Sequence, residues 1–323
     1  MDEIANPHDS YFRESFGRSE IAQDFLRVHL PDEVLAEVDL DSLEISKDTY
    51  VSPDLRAIYS DLVYRVRWRA QPLAVYVLFE HKSRPEHWTQ LQLLRYFAAE
   101  GDAYRKQNPR ARLLPPVLPL VIYHGKRRWR VPKTFHELIS PLSPALAPYV
   151  PNFTYILVDL SSRSDTEVKG QVQTRLVQLA MRGIFSGAPV ERLTELLALI
   201  ALIDDRNTAM EVLESLLRYY VQGTRRVDEP TAYALLQQHS DGDSTMQTFI
   251  ERYIEQGKQQ GMELGLTRGR QEGQAVVLLR LIERKFGPPS EAVRERIADA
   301  DAETILQWSD RILTAESLDG LLH

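Results

Sequence analysis

Two neighbouring runs, DLVYRVRW (61–68) and LAVYVLFEHK (73–82), constrain the fold most. The first alternates with period two: Leu62, Tyr64, Val66 and Trp68 fall on one face, Asp61, Val63, Arg65 and Arg67 on the other. The second is apolar almost to its end. Only a short break at Ala70-Gln71-Pro72 separates them, so they are expected to pair as an antiparallel hairpin. The second strand then closes on Glu80, His81 and Lys82 with no turn signal before them. A carboxylate, an imidazole and an ammonium therefore stand at the end of a strand that otherwise suits the inside of a sheet.

The flanking sequence supplies the rest of an α/β domain. Residues 9–30 read as one amphipathic helix anchored by Phe12, Phe16, Ile21, Phe25, Leu26 and Leu30, with Pro31 after it. Residues 86–106 read as a second helix, and 117–123 (VLPLVIY) as a short apolar strand in which Pro119 is awkward for a ladder. A helix between strands 73–82 and 117–123 predicts a βαβ crossover. Residues 153–160 (FTYILVDL) form a further strand. Residues 1–165 are thus expected to be an α/β core with a mixed sheet.

After Ser161 the periodicity is almost only helical: 167–185, 190–203, 207–221, 230–238, 244–285, 290–298 and 302–315. This divides into a helical extension, 166–243, and a C-terminal part, 244–323. In the latter, Gly257, Gly261, Gly265, Gly269 and Gly273 recur every four residues. Each costs a helix about 0.8–1 kcal/mol relative to Ala. The spacing forms a slowly winding stripe that a second backbone could approach closely. It is expected to be a helix–helix contact between two copies of the chain, a dimer; the alternative is a weakly helical linker.

The 323 residues contain no cysteine, which excludes a disulfide scaffold, a thiol nucleophile and thiolate zinc sites, and suits a reducing cytoplasm. The start, MDEIANPHDSYF, lacks a signal-peptide pattern. The longest apolar run, LLALIALI, is too short to span a bilayer, so a cytoplasmic protein without a membrane partner is expected. No P-loop and no G-x-G-x-x-G occurs. Net charge is −7, which by itself argues against nucleic acid. Yet residues 101–135 hold nine Lys or Arg and one acid, Asp102. Arg105, Lys106, Lys126, Arg127, Arg128 and Arg130 within this cluster could bind phosphates, or form a solvated face. Trp129, between arginines, could stack on a base or anchor the loop on the core, with the anchor expected, and Asp159 suits a structural role.

Centring the hairpin turn between residues 70 and 71 pairs Trp68 with Leu73 and Asp61 with Glu80. Opposed residues share a face with Cβ atoms about 4.5–5.5 Å apart, and Lys82 joins that face two residues on. Two carboxylates about 4 Å apart repel by roughly 4 kcal/mol at an effective dielectric near 20. Either a shared proton or a divalent metal can offset that. With Mg²⁺, which keeps room for waters and a phosphate oxygen, and Lys82 to stabilise developing charge, the set suits phosphodiester hydrolysis. A salt bridge between Glu80 and Lys82 is the plainer alternative. Gln92 and Tyr96, one turn apart on the following helix, could contact a phosphate or a water, or Tyr96 could be a core aromatic. His81 points away from Glu80 and is expected to be a packed or hydrogen-bonded histidine.

The order Asp61, Glu80-x-Lys82, Gln92-x-x-x-Tyr96 resembles the PD-(D/E)XK nuclease superfamily. More closely, HDSYFRESF (8–16), FLRVHLP (25–31), YSDLVYRV (59–66), LFEHKS (78–83), LLRYFAA (93–99), LPLVIYHG (118–125) and FTYILVDLS (153–161) resemble the Rpn family of recombination-promoting nucleases and putative transposases, also called YhgA-like. The resemblance covers roughly residues 6–200, and residues 255–322 are similar to a small helical domain often found behind such nucleases. It implies a metal-dependent DNA endonuclease with Mg²⁺ or Mn²⁺, Asp61 and Glu80 as metal ligands and Lys82 as the catalytic lysine. Asp9 matches the family's early H-D pair as a further candidate ligand. Much of the family has Gln where this chain has Lys82, and Lys restores the wider superfamily pattern. A nuclease-fold protein that binds DNA or a partner without cutting is the alternative.

Overall fold

The computed structural model describes residues 6–45, 62–69, 74–139, 141–224, 226–239, 244–298, 300–315 and 317–322. The chain forms two compact units, Met1–Gln247 and Thr248–His323.

The first unit carries a mixed five-stranded sheet in the order β1 (Val38–Ile45), β2 (Leu62–Trp68), β3 (Ala74–Lys82), β4 (Val117–Tyr123), β5 (Ile156–Asp159). β1–β2 and β2–β3 are antiparallel; β3–β4 and β4–β5 are parallel. The hairpin has the expected register, from Leu62 opposite Phe79 to Arg67 opposite Ala74. The two end pairs in that reading involve Asp61 and Leu73, which lie outside the described residues. The helix α4 (Thr89–Gln107) carries the chain from β3 to the parallel β4, so the expected crossover is present. Pro119 sits within β4 opposite Leu78, but pairing with β5 begins only at Leu120, which keeps the proline out of the stretch bonded on both sides.

Four elements differ from expectation. The single helix over 9–30 is two, α1 (Pro7–Phe16) and α2 (Ser19–His29). The Gly17 N–H closes α1 on the Arg13 carbonyl, and Arg18 turns extended before α2 begins. A short helix α3 (Asp32–Glu37) and the strand β1 were not expected. The β1 register on β2 shifts between Asp39 and Glu44, and this irregularity breaks the period-two pattern that marks strands. β5 is confined to Ile156–Asp159, and Thr154 before it makes only an isolated bridge to Thr134.

Helices α1 and α2 cover one sheet face. Phe79 of β3 lies 5.0 Å from Phe12, 4.8 Å from Phe16 and 5.1 Å from Phe25, ring centre to ring centre. Such aromatic pairs contribute about 0.5–1.5 kcal/mol each beyond their area. The other face packs α4 through Leu93 and Tyr96 on Val121, Tyr123, Trp129 and Tyr155. β3 thus alternates, with Phe79 and His81 toward α1 and Glu80 and Lys82 toward α4. The helices α5 (Val172–Gly183), α6 (Pro189–Ile200), α7 (Arg206–Thr224) and α8 (Glu229–His239) complete this unit, with Tyr219 of α7 stacked on Tyr11 of α1 at 4.2 Å.

In the second unit, the end of α9 (Ser244–Phe286) packs with α10 (Glu291–Ala298), α11 (Ala302–Arg311) and α12 (Leu318–Leu322) around Leu278, Ile282, Ile297, Ile305 and Trp308. α9 is one continuous helix through all five glycine positions. At Gly273 an added Cβ would meet nothing within 4 Å.

Candidate active site

The end of β3 presents Glu80 and Lys82 to the first turns of α4. Lys82 Nζ lies 2.6 Å from Glu80 Oε1 and donates to Gln92 Oε1 at 2.7 Å. Gln92 Nε2 donates to Glu80 Oε1 at 3.0 Å and to the Tyr96 hydroxyl. Four of the five residues predicted to share a catalytic site, all but Asp61, therefore form one closed hydrogen-bonded set. Gln92 is its hub, accepting from the lysine and donating to the carboxylate. Tyr96 is fully buried in the apolar cluster on this face, so it holds Gln92 in place from beneath.

Glu80 is 1 % exposed and Lys82 15 %. Burial pushes the Glu80 carboxyl up from its ordinary range, against the opposing pull of Lys82 and the hydrogen bonds of Gln92 and Tyr96. Its Oε2 is buried and has no hydrogen-bond partner among the described residues. Leaving a buried carboxylate oxygen unbonded is costly, and a bound cation is one way to satisfy it. Mg²⁺ takes one or two carboxylates, waters and a substrate phosphate, so this oxygen fits such an ion. No group of three or more His, Asp or Glu side chains suited to a metal occurs among the described residues. Asp61, the expected second ligand, lies outside them. Asp9 stands in the first turn of α1, on the helix that covers the opposite sheet face, with its Oδ2 3.5 Å from Arg13.

The basic residues separate into two places. Lys126, Arg127, Arg128 and Arg130 are exposed on the loop that leaves β4, whose Tyr123 is in register with Lys82. The His124 N–H donates to the Lys82 carbonyl at 3.1 Å. At Gly125 a Cβ would overlap the Tyr123 hydroxyl and come within 2.5 Å of the Ser83 carbonyl, so only glycine lets the loop start this close to the end of β3. Trp129 anchors the loop as expected: it is buried, its indole N–H donates to Tyr155 at 2.8 Å, and its backbone N–H donates to Asp159 at 3.1 Å. Tyr123 donates to the Arg127 carbonyl and the buried Gln90 to the Pro132 carbonyl. Asp159 is thereby structural. Arg105 and Lys106, in contrast, end α4, about 20 Å along the helix from Gln92 at 1.5 Å per residue. Arg105 pairs there with Asp102 at 3.3 Å.

An open pocket of about 490 Å³ adjoins the set, lined by Lys82, Glu86, Trp88, Leu91, Gln92 and Arg95. Trp88 and Arg95 were not singled out in the sequence; the spacing Trp88, Leu91, Arg95 on α4 was the available signal.

On the reverse face of β3, His81 is buried and packed, as expected. Its Nε2 is 2.7 Å from His124 Nε2, and His124 Nδ1 is 2.8 Å from the Met181 carbonyl. A carbonyl only accepts, so His124 carries its proton on Nδ1 and its Nε2 accepts from His81. Burial drives both pKa values down, His124 to about 3, which keeps the pair neutral.

Comparison with known proteins agrees with the motif reading. The family model described as "Putative transposase, YhgA-like" matches residues 6–211. Recombination-promoting nuclease RpnC of Escherichia coli strain K12 is 26 % identical over 251 residues, 78 % of this chain and 82 % of the relative. Recombination-promoting nuclease RpnD of Escherichia coli O157:H7 is 31 % identical over 180 residues, 56 % of this chain and 68 % of the relative. Inactive recombination-promoting nuclease-like protein RpnE of strain K12 is 27 % identical over 310 residues, 92 % of this chain and 96 % of the relative. No solved structure matches.

Proposed function

The chain belongs to the YhgA-like putative transposase family, and from that premise we propose that it is a recombination-linked, metal-dependent DNA endonuclease whose active site is the end of β3. The observation that carries this reading is the closed set of Glu80, Lys82 and Gln92, with a buried carboxylate oxygen left free of hydrogen bonds among the described residues. Similarity to proteins named as recombination-promoting nucleases supports it.

Glu80 Oε2, together with Asp61 just ahead of β2, would hold Mg²⁺ or Mn²⁺. When bound, the ion polarises the scissile phosphate and lowers the pKa of the attacking water. Lys82 has two of its three ammonium hydrogens directed at Glu80 Oε1 and Gln92 Oε1. The third is available to the phosphate oxygen on which charge develops. Gln92 fixes the lysine, and Tyr96 fixes Gln92, so the ammonium is held in position before substrate arrives. The raised pKa of Glu80 adds that activity should climb with pH until its carboxyl is ionised and able to bind metal. Lys126, Arg127, Arg128 and Arg130 would track the DNA backbone from a loop that Trp129 keeps rigid.

Cutting both strands of a duplex suits two copies of the chain. The α9 glycines would supply that contact, beside the exposed Met262 and Leu266. Comparing the mass in solution of the wild type with a Gly261→Glu/Gly265→Glu variant tests this, and unchanged assembly contradicts it. No helix among the described residues is long and apolar enough to cross a membrane.

The test of the catalytic reading is plasmid nicking in Mg²⁺ or Mn²⁺ by the wild type beside Asp61→Ala and Glu80→Ala. The similarity to a relative named inactive favours one second reading, a nuclease-fold module that binds without cutting. Intact plasmid with all three proteins would select it.

A further inference from the structure

The pocket beside Lys82 has a composition that the cleavage chemistry does not use. Trp88 is 55 % exposed, and Leu91 and Arg95 follow it at three and seven residues along α4, one stripe of the same helix. Trp88 occupies the N-cap position of α4 and makes no side-chain capping bond there. Ser, Thr, Asp or Asn is the residue that stabilises this position, so an indole here has been placed at the expense of the helix end. The Glu86 carboxylate accepts the Trp88 N–H at 3.3 Å. The His87 ring stands edge-on to the indole at 4.8 Å and 78°, which limits how far it can rotate. The pocket thus offers a flat aromatic wall and an aliphatic neighbour. Arg95 supplies a cation, and the floor of Lys82 and Gln92 is shared with the cleavage site.

That combination matches one nucleotide: an aromatic base for the indole face and a phosphate for the guanidinium. A base inside a duplex is stacked on both sides and cannot offer its face to Trp88. Only an unpaired or extruded base can. We infer that this pocket holds an unpaired nucleotide next to the scissile phosphate, its base stacked on Trp88 and its phosphate on Arg95, so that single strands and unpaired positions in DNA are the preferred substrates. The inference rests on the nuclease reading for the placement of the scissile phosphate, but binding tests it without cleavage.

The experiment is fluorescence anisotropy of the full-length protein in EDTA with a labelled single strand, the same strand bearing one abasic site, and the matching blunt duplex. Trp88→Ala should weaken single-strand binding about tenfold, the scale of one base–aromatic stack, and duplex binding less than twofold. Trp88→Phe should recover most of the loss, and Arg95→Ala should weaken binding to both single strands with a smaller salt dependence. The abasic strand should bind the wild type more weakly and Trp88→Ala no differently from the intact strand. Trp88→Ala affinity for the single strand within twofold of wild type, or equal losses on single strand and duplex, overturns the inference. A pocket that takes a protein or a small molecule would give that same result. Nicking assayed in parallel separates the two readings. Loss of nicking in Glu80→Ala with unaltered strand preference in Trp88→Ala removes the pocket alone. Equal absence of nicking in wild type and Glu80→Ala removes the catalytic reading and leaves the anisotropy to decide the pocket. Unchanged thermal melting of Trp88→Ala confirms that the fold is intact.

Discussion

Glu80 and His81 are neighbours on β3, yet they enter opposite kinds of polar cluster. Glu80 meets an ammonium and an amide beside an open pocket, and one of its oxygens is left without a hydrogen bond among the described residues. His81 meets a second imidazole in the apolar layer under α1, and that pair ends on a backbone carbonyl. The first arrangement is incomplete by itself and suits a ligand. The second satisfies itself and suits the fold. Burial alone does not separate them, since Glu80 is 1 % and His81 8 % exposed. The state of the hydrogen bonds does.

The comparison breaks most sharply under substitution. Glu80→Ala or Lys82→Ala should reduce DNA cleavage by about 10²–10³-fold, the cost of removing one preorganised charge-stabilising group, at temperatures below each variant's melting transition. His81→Phe should lower stability and spare cleavage. It leaves the His124 Nε2 without a donor, which costs about 1–3 kcal/mol, or about 2–4 °C of melting temperature per kcal/mol, while cleavage below the transition persists. Because the two imidazoles share one bond, His81→Phe/His124→Phe should lose less than the sum of the single changes. Equal loss of cleavage in His81→Phe and Glu80→Ala would erase the distinction.

Acidity should sharpen it, because the two faces carry opposite signs. His81 and His124 have folded pKa values below the ordinary 6.5, His124 at about 3. Below pH 6.5 the unfolded chain takes protons that the folded chain refuses, so their contribution is complete above 6.5 and falls as pH drops toward those values. Glu80 has a folded pKa above the ordinary 4.5. Its contribution is complete below 4.5 and is lost as pH rises through the raised value. Urea midpoints from pH 4 to 8 should show a smaller acid loss in His124→Phe and a smaller loss toward neutral pH in Glu80→Gln.

Smaller effects belong to the basic residues. Ala at Arg127, Arg128 or Arg130 should each weaken DNA binding and lower the salt slope by about 1. Arg105→Ala, at the far end of α4, should change cleavage less than twofold. If Arg105→Ala matched Arg128→Ala, DNA would have to follow α4 rather than the loop after β4.

Much of this was legible in the sequence for identifiable reasons. The hairpin register followed from period-two alternation and a short break; a slip of two residues keeps the same faces, and the pairing observed is the one centred on the break, with Tyr64 and Val66 buried. Spacing put Glu80 with Lys82 on one strand face and Gln92 with Tyr96 on one helix face, and the resemblance to the nuclease family joined the two pairs into one site. Trp129 and Asp159 also took the structural roles that their positions suggested. β1 was missed because its register shift destroys the alternation, and the break at Gly17-Arg18 because the apolar spacing continues across it. The His81–His124 bond joins residues with no local spacing, since only the parallel pairing of β3 with β4 brings them together. Trp88 was hidden for a different reason: a single exposed aromatic has no pattern until Lys82 and Arg95 are seen around it.

The most direct measurement is nicking of supercoiled plasmid in Mg²⁺ or Mn²⁺, with EDTA as a control, by wild type, Asp61→Ala, Glu80→Ala and Lys82→Ala at matched salt. The proposed site predicts metal-dependent nicking by the wild type and a loss of about 10²–10³-fold in each variant. Nicking that survives Glu80→Ala at the wild-type rate, or wild-type protein that leaves the plasmid as intact as the variants across metals and salts, would contradict it.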